Sequence, residues 1–151
     1  MTNLDSNSNS NSNLDFEPDI LTFCCNWCSY AGADLAGVSR LQYPANNRIV
    51  RVMCSSRIQP TFILEAFNEG ADGVLVTGCH IGDCHYIEGN EHTDIRMKEM
   101  IDALEHLGLG GRLRLEWVSA AEGKKFQETI IDFVDQIKAL GPSPLKHKQV
   151  E

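Results

Sequence analysis

Six cysteines give this sequence its chemistry, and their spacing says what kind. Cys25-Asn26-Trp27-Cys28 is a Cys-x2-Cys, which lets two thiolates chelate one metal centre or close as a redox disulfide. Cys79-His80-Ile81-Gly82-Asp83-Cys84 is a Cys-x4-Cys loop, a spacing also found in 2Fe-2S proteins. Cys54 lies between the two motifs, and Cys24 directly precedes the first. A cluster held by four thiolates is anionic, so it needs backbone N–H donors and glycine for close approach. Gly78 and Gly82, around the second motif, are placed to supply both.

Zinc and thiol–disulfide chemistry are the competing readings. Structural zinc favours two tight knuckles, whereas the second pair here is looser and the thiols exceed four. A thioredoxin-like oxidoreductase would run from Cys-x2-Cys directly into a helix, and it would not need Cys54, Cys79 and Cys84. Inert buried cysteines would be scattered through helices as well, and here none lies in a predicted helix. The residues therefore point to an iron–sulphur cluster first.

Composition sets the setting for that chemistry. A net charge of −8 argues against a nucleic-acid binder, which would usually show a basic face. No apolar run reaches the ~18 residues of a membrane span, and the N-terminus lacks the features of a secretory signal. A cytoplasmic protein is expected, in which thiols stay reduced and six cysteines call for metal or redox chemistry.

The elements that must position the thiols follow from the hydrophobic pattern. Residues 1–15 form an Asn/Ser-rich leader too polar to offset its ordering entropy, so disorder is expected there. Residues 143–151 read as a polar tail. The domain between, 16–142, is about 125 residues, enough for one core. Strand patterns at 20–24, 48–53, 73–77 and 113–118 alternate with helix patterns at 30–40, 61–68, 93–107 and after a Ser119/Glu122 capping box. This βαβαβαβα order predicts an α/β fold: a single flavodoxin-like three-layer domain with a four-stranded parallel sheet, strand order 2-1-3-4. Cys24 and Cys25 then close the first strand, and Cys54 and Cys79 follow the second and third, at the carboxyl edge where such sheets bind ligands.

The segments CCNWCSYAGADLAGVSRLQYP (24–44), RVMCSSRIQPTFILEAFNEGADGVLVTGC (51–79), HIGDCHYIEGN (80–90) and RLRLEWVSAAEGKKFQETI (112–130) carry a family resemblance. They resemble the iron–sulphur delta subunit of the methyl-viologen-reducing, deazaflavin-non-reducing hydrogenase of methanogens, over about residues 18–142. The resemblance implies one 2Fe-2S cluster in an electron-transfer subunit with no substrate pocket, and so no enzyme on its own. It implies partners too: a hydrogenase or formate dehydrogenase as donor, and the flavin-bearing subunit of heterodisulfide reductase as acceptor, in methanogenesis. The family's cysteines match Cys25, Cys28, Cys54, Cys79 and Cys84. The position of Cys24 is often leucine there, which makes Cys24 a non-ligand. A four-ligand cluster leaves one of the five spare; Cys25, Cys28, Cys79 and Cys84 are the favoured set, with Cys54 able to replace any one. A zinc-stapled adaptor between the same complexes is the alternative.

Other residues have blander readings beside these. His80 and His85 are expected to hydrogen-bond around the cysteine loop rather than ligate. Trp27 serves either as a water shield or as a partner contact. Arg40, Arg51, Arg57 and Arg112 read as solvated cations that could face an acidic partner. Asp34, Asp83 and Glu88 lack a paired geometry for acid–base work, and Gly70-Ala71-Asp72-Gly73 is turn chemistry with no phosphate fingerprint.

Overall fold

The computed structural model describes residues 15–146. Its elements alternate as the pattern predicts. They are β1 (Ile20–Cys25), α1 (Ser29–Val38), β2 (Asn47–Val52), α2 (Pro60–Asn68), β3 (Gly73–Gly78), α3 (Gly89–His106), β4 (Leu113–Trp117) and α4 (Gly123–Leu140), with one 3-10 turn at Ser55–Arg57. The sheet is four-stranded and all-parallel in the order β2-β1-β3-β4. Residues 1–14, nearly all of the expected leader, lie outside the described residues.

Two apolar layers explain the three-layer build. β3 is buried along its whole length, because helices cover both of its faces. Val74 and Val76 pack with Phe23, Ile63, Phe67, Met97 and Leu104 on the α2–α3 side. Leu75 packs with Ile20, Cys24, Ala36, Phe126, Ile130 and Phe133 on the α1–α4 side. Strand alternation thus puts Cys24 in the α1–α4 core and turns its neighbour Cys25 the other way.

Two element boundaries bear on the site. α3 starts at Gly89, four residues before the apolar period begins at Thr93. Its first turn, Gly89-Asn90-Glu91-His92, shows no apolar spacing, but Asn90 Nδ2 donates to the carbonyls of Cys79 (2.8 Å) and His80 (2.6 Å). Only half of the capping box forms. The Glu122 carboxylate accepts the Ser119 N–H at 2.8 Å, while α4 begins after Glu122 itself.

The turn before β3 does more than reverse the chain. Asp72 is fully buried, and its carboxylate accepts from Asp19 N (2.8 Å), Ser143 N (2.9 Å) and Lys146 Nζ (2.7 Å). Arg112 is buried too and donates to the carbonyls of Asp72 and Pro142, both at 3.0 Å. The reading of Arg112 as a solvated or partner-facing cation is therefore corrected: it is an internal brace. Residues 143–146, the start of the polar tail, are held against the domain by this network.

Candidate metal centre

The carboxyl edge of the sheet gathers five of the six thiols. Cys25 ends β1, and the Cys-x2-Cys turn brings Cys28 to the N-cap of α1. The helix follows the motif directly, so that part of the contrast with thioredoxin does not hold. What separates the two is the sulfur contact, since Cys25 Sγ lies 3.5 Å from Cys79 Sγ, just beyond β3. Cys54 leads into the 3-10 turn after β2, and its Sγ lies 3.9 Å from Cys84 Sγ. Cys25, Cys54 and Cys79 are buried, while Cys28 and Cys84 are half-buried. All six cysteines are free thiols.

The sequence could not show this pairing. It favoured Cys25, Cys28, Cys79 and Cys84 with Cys54 able to replace any one of them, and the structure puts Cys54 against Cys84. The reason is topological: β2 and β3 flank β1, and the 3-10 turn after β2 carries Cys54 across toward α3.

Local electrostatics favour thiolate at the first pair. Cys25 and Cys79 share a proton across their sulfur contact, which lowers one thiol of the pair, Cys25, and raises the other, Cys79. Burial raises Cys28, opposed by its contact with Cys79. Burial pushes Cys24 up to about 12, and Thr77 Oγ1 donates to its sulfur at 3.3 Å, so Cys24 is a neutral core thiol. Ser29 fixes the end of β1, accepting the Cys25 N–H at 2.8 Å and donating to the Thr77 carbonyl at 3.1 Å.

Aromatic rings link the two cysteine motifs. Trp27 stacks on His85 with centroids 3.8 Å apart and planes at 14°, and its Nε1 donates to Tyr86 Oη at 3.2 Å. The first cysteine motif is thereby fastened to the second. His80 pairs with Glu122 at 2.6 Å, and that bond together with the Ser119 N–H holds the Glu122 carboxyl down at about 2. Both histidine rings thus have protein partners. Around the mouth Met53, Ile81, Tyr86 and Ile87 stand exposed. Ile87 has φ 71° and the Glu88 N–H reaches back to the Tyr86 carbonyl at 2.9 Å, a strained γ-turn for a β-branched residue.

The glycines divide differently from expectation. Gly82 has φ +91° with open space around it, and a Cβ on Gly78 would meet Trp117 at 2.8 Å, not a thiol. The glycine against the sulfurs is Gly89. A Cβ there would stand 2.5 Å from Cys54 Sγ and 3.1 Å from Cys84 Sγ. Sequence reasoning missed it, together with Asn90 and the Glu122–His80 pair. Nothing in the spacing marked it, because the helix pattern begins only at Thr93.

Among the described residues, no three Cys, His, Asp or Glu side chains converge as they would on a single metal ion. No helix of the described residues is long and apolar enough to cross a membrane.

Comparison with known proteins places the chain among its relatives. Residues 20–141 match the family described as methyl-viologen-reducing hydrogenase, delta subunit. The chain is 57% identical over 132 residues to the vhc iron-sulfur subunit of the F420-non-reducing hydrogenase of Methanococcus voltae, covering 87% of this chain and 92% of that one. It is 50% identical over 129 residues to the iron-sulfur subunit of the F420-non-reducing hydrogenase of Archaeoglobus profundus, covering 85% and 94%. It is also 50% identical over 133 residues to a subunit of the ferredoxin/F420H2-dependent CoB-CoM heterodisulfide reductase of Methanosarcina acetivorans. That match covers 87% of this chain and 17% of the much longer relative.

Proposed function

The chain belongs to the methyl-viologen-reducing hydrogenase delta subunit family, and from that footing we propose that it is an electron-transfer subunit carrying one 2Fe-2S cluster. It takes electrons from a hydrogenase or a formate dehydrogenase and passes them to the flavin-bearing subunit of heterodisulfide reductase. Relatives named as hydrogenase iron-sulfur subunits support the first side of that relay. Relatives named as heterodisulfide reductase subunits, in which a similar segment is part of a longer chain, support the second. The chain acts within a larger complex with no reaction of its own, in the cytoplasm.

The observation that carries the cluster assignment is the pairing of thiols, with sulfurs 3.5 Å apart at Cys25–Cys79 and 3.9 Å at Cys54–Cys84. Two metal atoms, each taking two thiolates, suit a set of pairs; a single tetrahedral ion wants four sulfurs around one point. Cys54 and Cys84 would hold one iron, and two of Cys25, Cys28 and Cys79 the other, with the third as the spare. Cys24 would hold none. When bound, such a cluster supplies a one-electron redox site. The protein's own contributions are burial of Cys25, Cys54 and Cys79, which limits water, and the Trp27–His85–Tyr86 cluster that joins the two cysteine motifs.

The relay is tested by mixing the dithionite-reduced, desalted chain anaerobically with the flavin-bearing component of heterodisulfide reductase and following its visible absorption by stopped flow. Reoxidation that depends on the concentration of that component is expected. A reduced chain that holds its electron in the presence of the partner contradicts the relay.

A further inference from the structure

Gly89 opens an 18-residue helix, a place where glycine is not needed for the backbone. Its φ lies outside the left-handed range, unlike those of Gly70, Gly82, Gly108, Gly111 and Gly141. At the first position of a helix glycine gives the backbone nothing that alanine would not, so its presence here calls for another reason. The surroundings supply the reason. A methyl here would sit 2.5 Å from Cys54 Sγ, 3.1 Å from Cys84 Sγ and 3.4 Å from Ser56 Oγ. The first contact is about 1 Å inside normal van der Waals separation. Gly37, inside α1, has nothing within 4 Å of such a methyl, so it marks what an unconstrained helical glycine looks like.

We propose that Gly89 is a positioning residue: its missing side chain is the space that lets the Cys54 and Cys84 sulfurs come together on the first turn of α3. The bidentate character of that pair toward a thiophilic centre depends on this space. Toward a 2Fe-2S cluster the inference rests on the function proposed above; toward any centre that bridges two thiolates it stands by itself. The atoms that must yield to a methyl are the ends of side chains, so the fold can absorb the change. The sulfur pair cannot, because Cys54 must turn away from Cys84.

The test compares Gly89→Ala with Gly37→Ala in the full chain. Metal-free protein is titrated anaerobically with phenylarsine oxide, which bridges two neighbouring thiols, and peptide mapping reports the fraction bridged at Cys54–Cys84. Thermal melts run in parallel, and iron uptake on reconstitution is measured separately. Gly89→Ala is expected to weaken bridging at Cys54–Cys84 about tenfold or more, about 1.4 kcal/mol by the standard conversion, with the melting temperature held and bridging at Cys25–Cys79 unchanged. Gly37→Ala is expected to leave both pairs as they are. If iron uptake fails in the wild type while Gly89→Ala still loses the Cys54–Cys84 bridge, the positioning role stands and the cluster reading falls. Wild-type bridging at Cys54–Cys84 in Gly89→Ala overturns the inference, and so does equal loss at both pairs.

Discussion

Replacing Glu122 by glutamine tests how the second cysteine loop is anchored to α4. The carboxylate accepts the Ser119 N–H at 2.8 Å and meets His80 Nε2 at 2.6 Å, next to Cys79. These bonds hold the carboxyl at about 2 against an ordinary 4.5. The full difference corresponds to about 3 kcal/mol. The side chain is 36% exposed, however, so solvent screening leaves about 1 kcal/mol as the working figure. The folded value lies below the unfolded one, so this stability is complete above about pH 4.5 and is lost as pH falls through about 2. Glu122→Gln keeps an acceptor for Ser119 but loses the charge. In thermal melts of the metal-free chain at neutral pH it should therefore lower Tm by about 3–5 °C. Between about pH 4.5 and 2 its curve should converge on the wild-type curve, whereas at higher pH the two should stay apart. The loosened His80 should also make Cys79 alkylate faster. Curves that run parallel down to about pH 2 would refute the reasoning.

Three further outcomes follow from the same structure. Asp72→Asn puts an amide donor among two buried N–H groups and the Lys146 ammonium, and should cost about 2–4 kcal/mol in urea unfolding, with earlier proteolysis of the segment around Ser143. Cys24→Leu alters a neutral core thiol, so anaerobic reconstitution should load iron as in the wild type, whereas Cys54→Ser and Cys84→Ser should each impair loading. Ile87→Gly relieves a left-handed φ at an exposed position, and should raise the Tm of the metal-free chain by a few degrees, about 1 kcal/mol.

Much of this architecture was legible from residue order. The apolar runs at Ile20, Val74 and Leu113 and the helical spacing of Phe126, Ile130, Phe133 and Ile137 are one-dimensional signals of burial, and the βαβα alternation they mark made the flavodoxin-like order 2-1-3-4 the simplest choice, which the sheet adopts. The convergence of cysteines on one edge follows from that order, since Cys25 ends β1 and Cys54 and Cys79 lie just past β2 and β3. Their pairing does not, because it depends on how far the 3-10 turn at Ser55–Arg57 swings Cys54 toward α3, a distance that spacing does not encode. Arg112 was misjudged, and the burial of Asp72 within its turn went unread, for a related reason. Charged residues read as surface residues unless their partners are known, and theirs come from segments 30 to 74 residues away in sequence. The start of α3 escaped notice because its first turn is polar and is fixed by Asn90 binding two loop carbonyls, which leaves no periodic trace.

The most direct test of the central claim is the iron, zinc and acid-labile sulphide content of the anaerobically purified full chain, taken with the electron paramagnetic resonance spectrum after dithionite reduction. About two irons and two sulphides per chain with a spin-half signal are predicted for a cluster on the paired thiols. Stoichiometric zinc without sulphide, in protein never exposed to air, would contradict the electron-transfer account and leave a thiol-bound adaptor in its place.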